Sequence, residues 1–101
     1  MKVMFGRRAL REIRQIYDHI VVQDFMTARR VEDGIFMQCD TIGLFPYSNP
    51  PIRTRGVRRC PIVKYGLTIF YRVDEMRAEV TILAVVRSSR VRNIDSMPRS
   101  G

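Results

Sequence analysis

Residues 46–56 divide the chain into two kinds of pattern. They contain Pro46, Pro50 and Pro51 together with Ser48, Asn49, Gly56 and two arginines. That composition cannot continue a helix and predicts an ordered crossing loop. Before it, apolar residues recur at helical spacing. After it, β-branched and aromatic residues come in short runs. Helices first and strands afterwards predict an α+β domain.

The helical half has two parts. Leu10, Ile13, Ile16, Tyr17, Ile20 and Val21 fall on one stripe, and Arg7, Arg11, Arg14 and Asp18 on another. This spacing predicts an amphipathic helix over about residues 7–22. Asp24 is placed to cap a second helix, in which Ala28, Val31, Ile35, Cys39 and Ile42 recur at three and four before Pro46 ends the run. The two form a helical hairpin. Gly34, inside the second helix, costs up to about 1 kcal/mol against Ala, so packing on a sheet must supply the difference.

Residues 57–63, 67–73 and 79–86 read as strands, the last two joined by the polar turn Asp74, Glu75, Met76, Arg77 into a β-hairpin. Pro61 cannot donate to a ladder, which predicts an edge or a bulge there. Lys2–Phe5 is a candidate for a fourth short strand. The expected architecture is an N-terminal helical hairpin packed on one face of a three- to four-stranded antiparallel β-sheet. Leu10, Ile13, Tyr17, Val31, Ile35, Ile69, Ile82 and Ala84 are expected in one core.

In the last strand Val80, Ile82, Ala84 and Val86 alternate with Thr81, Leu83 and Val85, so neither face is polar before Arg87. A strand of that kind is covered on both faces and lies inside the sheet. The helical hairpin covers one face. The other is left with Thr68, Phe70, Leu83 and Val85, an apolar patch rimmed by Arg72 and Arg87 that is a candidate partner site, unless the loop and the tail fold over it.

At 101 residues the chain is one domain, taken as residues 1–95 with a polar tail at 96–101. With 46% hydrophobic residues it can bury one compact core, and a domain this short gains from a stabilising partner. Lys and Arg number 18 against 10 acids, a formal charge of +8, which attracts nucleic acid or an acidic protein. No apolar run is long enough to span a bilayer, and the first eight residues lack the apolar core of a secretory signal, so a cytoplasmic location without membrane attachment is expected. Cys39 and Cys60 stand apart and His19 makes no ligand cluster with them. No metal site or other cofactor is expected, and the thiols read as buried and reduced.

The order helix, helix, Pro-rich loop and three strands resembles the toxins of the RelE/ParE superfamily over nearly the whole chain. "FGRRALREIRQIYDHI" is similar to the family's first helix and "ARRVEDGI" to its second. "RGVRRCPIVKYGLTIFYRVDEMRAEVTILAVVRSSR" is similar to the ParE-type stretch of Gly-x-Arg, Pro, basic-Tyr, Phe-Tyr, Ile-Leu and a closing Arg. By this resemblance Arg58 takes the place of the family's arginine on the first strand after the loop, and Arg90 that of the arginine after the last strand. Tyr65 and Tyr71 match aromatic positions of the central strand, where packing is the simpler role. The chain departs from the pattern at Arg87, where many relatives have His, and at Asn49 and Pro50, where a Gly-Arg pair is common. No Tyr follows Tyr71.

The resemblance implies the toxin of a type II toxin–antitoxin, plasmid-stabilisation-like system, closer to ParE. Such a toxin binds DNA gyrase, traps its cleaved-DNA complex and arrests growth, neutralised by a cognate acidic antitoxin and using no small-molecule substrate. The alternative is a RelE-like, ribosome-dependent mRNA endonuclease, in which Arg58, Lys64 and Arg90 would grip the message. Cleavage through a 2′-hydroxyl needs a base, an acid and cationic stabilisation. Cations abound here, but arginine is a poor base, and His19 is expected away from Arg58 and Arg90. Lys64 or Tyr65 could stand in. The non-enzymatic reading therefore leads, with a plain basic nucleic-acid-binding domain as a third class. The expected target or nucleic-acid contacts are Arg58, Lys64, Arg87 and Arg90. The expected antitoxin contacts are Phe70, Arg72, Leu83, Val85 and Arg87, apolar anchors between rim charges.

Overall fold

The computed structural model describes residues 1–91; the tail expected at 96–101 lies outside them. The chain forms β1 (Lys2–Phe5), α1 (Arg7–Val21), α2 (Phe25–Leu44), β2 (Val57–Ile62), β3 (Leu67–Asp74) and β4 (Glu79–Arg87). Short 3₁₀ turns follow β2 at Val63–Tyr65 and β4 at Ser88–Arg90. The sheet order is β1-β4-β3-β2, which puts the doubly apolar strand β4 in the interior, as its pattern requires.

The sheet is mixed. β2–β3 and β3–β4 are antiparallel, but β1 runs parallel to β4, with Lys2 opposite Glu79 and Phe5 opposite Ile82. A parallel neighbour needs a long connection, and here residues 6–78 lie between the two strands. The purely antiparallel sheet expected from the hairpin pattern is corrected to that extent.

Asp24 caps α2 as expected, its carboxylate accepting from the backbone N–H of Met26 at 3.0 Å and from the Thr27 hydroxyl. The Thr27 bond holds the Asp24 carboxyl below its usual range. α1 faces the sheet through Ala9, Ile13, Ile16 and Ile20. Ala9 has no side chain beyond Cβ, so the helix sits close to the sheet at that point. Leu10 follows Ala9 by one residue, about 100° around the helix, and is 49% exposed. Tyr17 is only half-buried. Both expected core positions are thus corrected by a rotation of the helix toward Ala9. Gly34 earns its place: a Cβ there would lie 2.6 Å from Cε2 of Tyr65, so its absence lets the turn after β2 pack against α2. Gly43 does the same for β1, where a Cβ would meet Val3 at 2.6 Å and the Met1 carbonyl at 2.9 Å.

The larger core lies between the helices and the sheet and includes Val31, Ile35, Ile69, Tyr71, Ile82 and Val85. A second core, Val57, Phe70, Leu83 and Ala84, lies on the other side of the sheet, covered by Ile52, Val86 and Val91. A register shift separates the two. Phe70 pairs with Ala84 and Tyr71 with Ile82, so Leu83 is an extra residue in β4, a β-bulge. Leu83 and Ala84 therefore share the far face, and Val85 returns to the helix face. Ala84, expected beside Ile82, is corrected to the second core for this reason.

The expected exposed strip is likewise corrected. Phe70, Leu83 and Val85 are each 1% exposed. Thr68 is buried as well. Phe70 and Leu83 are sealed by the loop residue Ile52 and by Val91 beyond β4, while Val85 faces the helices.

Candidate functional site

An open groove of about 640 Å³ lies between the C-terminal half of α1 and the end of β4. Its floor is apolar, with Ile16 and Ile20 of α1, Val31 of α2, Leu67 and Val85. Its rim is polar, with Gln15, His19, Arg87, Ser88 and Arg90. Residues 12, 15, 16 and 19 of α1 line it, the one-sided spacing of a helix face.

Three sets of bonds fix its shape. Gly66, with φ +64°, closes the turn after β2, and its carbonyl accepts from the Ser88 N–H at 2.8 Å. Thr68 and Ser88 share a hydroxyl–hydroxyl bond at 2.8 Å. Together these tie the 3₁₀ turn that carries Arg90 to the start of β3. On the opposite wall Glu12 accepts the Val85 N–H at 3.0 Å through Oε1 and pairs with Arg8 Nε at 3.1 Å through Oε2. β1 stops pairing at Ile82, so beyond that point no strand among the described residues flanks β4 on this side, and the carboxylate takes the place of one.

The four expected target contacts are split. Arg87 and Arg90 meet in the groove, and Lys64 lies beside it, its ammonium 5.4 Å from the centre of the Tyr65 ring, which also lines the groove. Arg58 lies elsewhere. It pairs with Tyr71, whereas the groove end of the same strand pair is Ile62 with Leu67, four residues or about 13 Å along the strand. There Arg58 Nη1 donates to the Asn49 carbonyl at 2.6 Å and its guanidinium lies 5.2 Å from the Tyr47 ring centre. The Tyr47 hydroxyl donates to Glu75 and the Tyr71 hydroxyl to the Pro46 carbonyl. The Glu75 bond raises the Tyr47 pKa, and burial raises that of Tyr71. Tyr71 is a core residue, in line with its packing role. Asn49 and Pro50, the departures in the crossing loop, brace β2: the Pro50 carbonyl accepts the Arg59 N–H at 3.1 Å.

His19, expected away from Arg90, lines the same groove as Arg87 and Arg90, because the bulge in β4 turns Arg87 toward α1. Glu12 was not singled out by its residue type, although its spacing to Gln15, Ile16 and His19 carries the signal. Of the expected antitoxin contacts Val85 and Arg87 line the groove. Arg72 lies on the far face beside Gly56, whose added Cβ would be 3.6 Å from its Nε. Burial raises both thiols, Cys39 to about 12, and Gln38 donates to Cys60 Sγ at 3.2 Å. Neither is a ready nucleophile.

The fold is shared with known toxins. The chain superposes on a protein of the chromosomal ParDE system from P. aeruginosa with a TM-score of 0.74 and 24% identity, covering 86% of this chain and 95% of that one. It matches the RelBE2 toxin–antitoxin complex of Mycobacterium tuberculosis at 0.67 and 18% identity, covering 85% and 95%. A doubly mutated form of the E. coli toxin RelE in the free state gives 0.69 and 15%, covering 95% and 90%. No curated protein sequence matches. The model of the ParE toxin of the type II toxin–antitoxin system parDE matches residues 3–92. The chain belongs to the ParE toxin family.

Proposed function

We propose that this toxin arrests growth by binding DNA gyrase, makes and breaks no covalent bond itself, and is held inactive in the cytoplasm by a cognate acidic antitoxin. The family match over residues 3–92 carries this reading. The separation of Arg58 from Lys64, Arg87 and Arg90 supports it, because the groove that takes Arg87 and Arg90 does not include Arg58, one of the cations a message-gripping site would use. The groove suits the antitoxin better than the buried strip: Ile16, Ile20 and Val85 offer an apolar floor, and Arg87 and Arg90 a cationic rim. An acidic amphipathic segment that folds on binding satisfies both. Gyrase supercoiling with the purified chain tests the reading. Loss of supercoiling with accumulation of cleaved DNA, reversed by the antitoxin, is expected; a gyrase that supercoils unimpeded and yields no cleaved complex refutes it.

One observation favours a second reading. His19 supplies an imidazole beside Arg87 and Arg90, with Tyr65 in the same groove, so a base and cations for RNA cleavage do share one site. Codon-dependent cuts in ribosome-bound message, abolished by both His19→Ala and Arg90→Ala, would make the chain a ribonuclease.

A further inference from the structure

The net charge is unevenly placed. Between Asp40 and Asp74 the chain holds Arg53, Arg55, Arg58, Arg59, Lys64 and Arg72 and no acid. Six cations in a third of the sequence account for most of the excess of +8. Four of them gather on the side of the sheet away from the helices. Arg59 pairs with Phe70 and Arg72 with Val57, and Val57 and Phe70 belong to the far-side core. The two arginines are therefore diagonal neighbours on that face, about 7–8 Å apart at Cα. The loop that carries Arg53 and Arg55 brings Ile52 onto the same core, and Arg72 runs alongside its Gly56.

Three features distinguish this ridge from ordinary solvated charge. None of the four guanidiniums has a carboxylate partner among the described residues. The loop beneath them is held rigidly: the Ile52 N–H donates to the Val57 carbonyl at 2.9 Å, the Val57 N–H to Thr54 at 3.1 Å and the Arg59 N–H to Pro50 at 3.1 Å, with Gly56 at φ +77°. From Asn49 to Ile62 the uncharged exposed residues are Pro50, Pro51, Gly56 and Pro61, and the exposed Tyr47 earlier in the loop is already engaged by Glu75 and Arg58, so within this segment no large apolar or aromatic side chain is free to act as an anchor. Protein interfaces draw their affinity from such anchors, and exposed ion pairs contribute little. Phosphodiester backbones need none, because neutralising phosphates releases condensed counterions. The same charges are thus well suited to a polynucleotide and poorly suited to an acidic protein.

We propose that Arg53, Arg55, Arg59 and Arg72 form a sequence-independent binding site for a nucleic-acid backbone, separate from the α1–β4 groove and independent of whether gyrase is the target. The chain would grip a polynucleotide on one side of the sheet while the groove remains open on the other.

Fluorescence anisotropy of the purified chain with a random-sequence DNA duplex and a random-sequence single-stranded RNA, over a range of salt, tests this. Four phosphate contacts predict a slope of log K against log salt of about −3.6 on duplex DNA and about −2.8 on single strands. Arg53→Gln/Arg55→Gln/Arg59→Gln should remove about 2.7 and 2.1 of these, and the three lysine replacements should retain them. A control of equal net charge, Arg7→Gln/Arg11→Gln/Arg29→Gln on the helices, should leave the slope within about 0.5 of the parent. Binding to DNA, to RNA or to both supports the site and identifies the polynucleotide. Equal losses in the two triple variants would make it a net-charge effect and overturn the proposal. So would absence of binding to either probe at 50 mM salt, or ridge variants that keep their polynucleotide slope and lose an acidic protein partner. Failure here leaves the gyrase assay untouched, and failure of that assay leaves these slopes unchanged.

Discussion

Removing the Glu12 carboxylate should cost this domain a large part of its stability, although the residue lies on a helix with a polar face. Glu12 is the acceptor for the N–H of Val85, in a residue only 1% exposed, at the point where β1 no longer flanks β4. In Glu12→Ala that donor loses its partner, and a hydrogen bond to a charged group is worth about 1.5–3 kcal/mol. The pair with Arg8 adds at most about 1 kcal/mol, discounted because the arginine side chain is 35% exposed. Alanine's helix propensity returns a few tenths of a kcal/mol. The net loss is about 2–3 kcal/mol, and in a domain of this size each kcal/mol moves Tm by about 4–8 °C, so a fall of roughly 10–20 °C is expected. Glu12→Gln keeps an acceptor oxygen and should lose about half as much. Thermal unfolding followed by circular dichroism reads both, and the Val85 amide should exchange much faster in the alanine variant. An alanine variant melting within about 2 °C of the parent would refute the reasoning.

Leu83→Asp should not fold, because its carboxylate would lie in the second core without a partner at a cost of several kcal/mol; a folded Leu83→Asp with parent-like near-ultraviolet dichroism would contradict the burial. Gly43→Ala should lower Tm despite gaining up to about 1 kcal/mol of helix propensity, since the new Cβ meets Val3 and the Met1 carbonyl within 3 Å; an unchanged or raised Tm would mean β1 yields freely. The thiol pKa values are raised in the fold, Cys39 from 9.0 to about 12, so the native state holds these protons more tightly than the unfolded chain does. Their contribution is complete below about pH 9 and is lost as pH climbs toward 12. Urea midpoints should therefore decline between pH 8 and 10.5, less steeply in Cys39→Ala, and a flat profile would refute it.

Much of the architecture was legible because two periods dominate the sequence. The helix boundaries, the Asp24 cap, the crossing loop and the interior place of β4 all follow from local chemistry. What local chemistry cannot fix is the rotation of an amphipathic helix about its axis. Ala9, too small to dominate a hydrophobic stripe, sets how closely α1 approaches the sheet, and Leu10 is turned outward as a result. The parallel pairing of β1 was hidden because its partner lies more than 70 residues away. The candidate site was only half legible. Lys64, Arg87 and Arg90 gather near one groove, but Arg58 is held at the far end of the strand pair, and His19 joins the site only because two remote segments meet.

One residue is responsible for much of that difference. With strict alternation along β4, Ala84 would share the face of Ile82 and Arg87 would point away from the helices. The extra residue at the bulge reverses every side chain from Ala84 onward, bringing Val85 under Glu12 and Arg87 into the groove with His19. Deleting Ala84 should test this directly. In the shortened strand Leu83 would stand opposite Phe70, and Val85, Val86 and Arg87 would keep both their faces and their partners Ile69, Thr68 and Leu67. The second core would lose only one methyl group and the extra twist of the bulge, about 1–3 kcal/mol by analogy with other small core changes. Deleting Val80, which lies in the regular ladder, would instead turn the residues on one side of the cut to the wrong face of the sheet. The Ala84 deletion should therefore fold cooperatively with a lowered Tm, while the Val80 deletion should not fold. If the two deletions are equally disruptive in circular dichroism and thermal unfolding, the strand holds no extra residue at Leu83–Ala84 and the reading of the register shift is wrong.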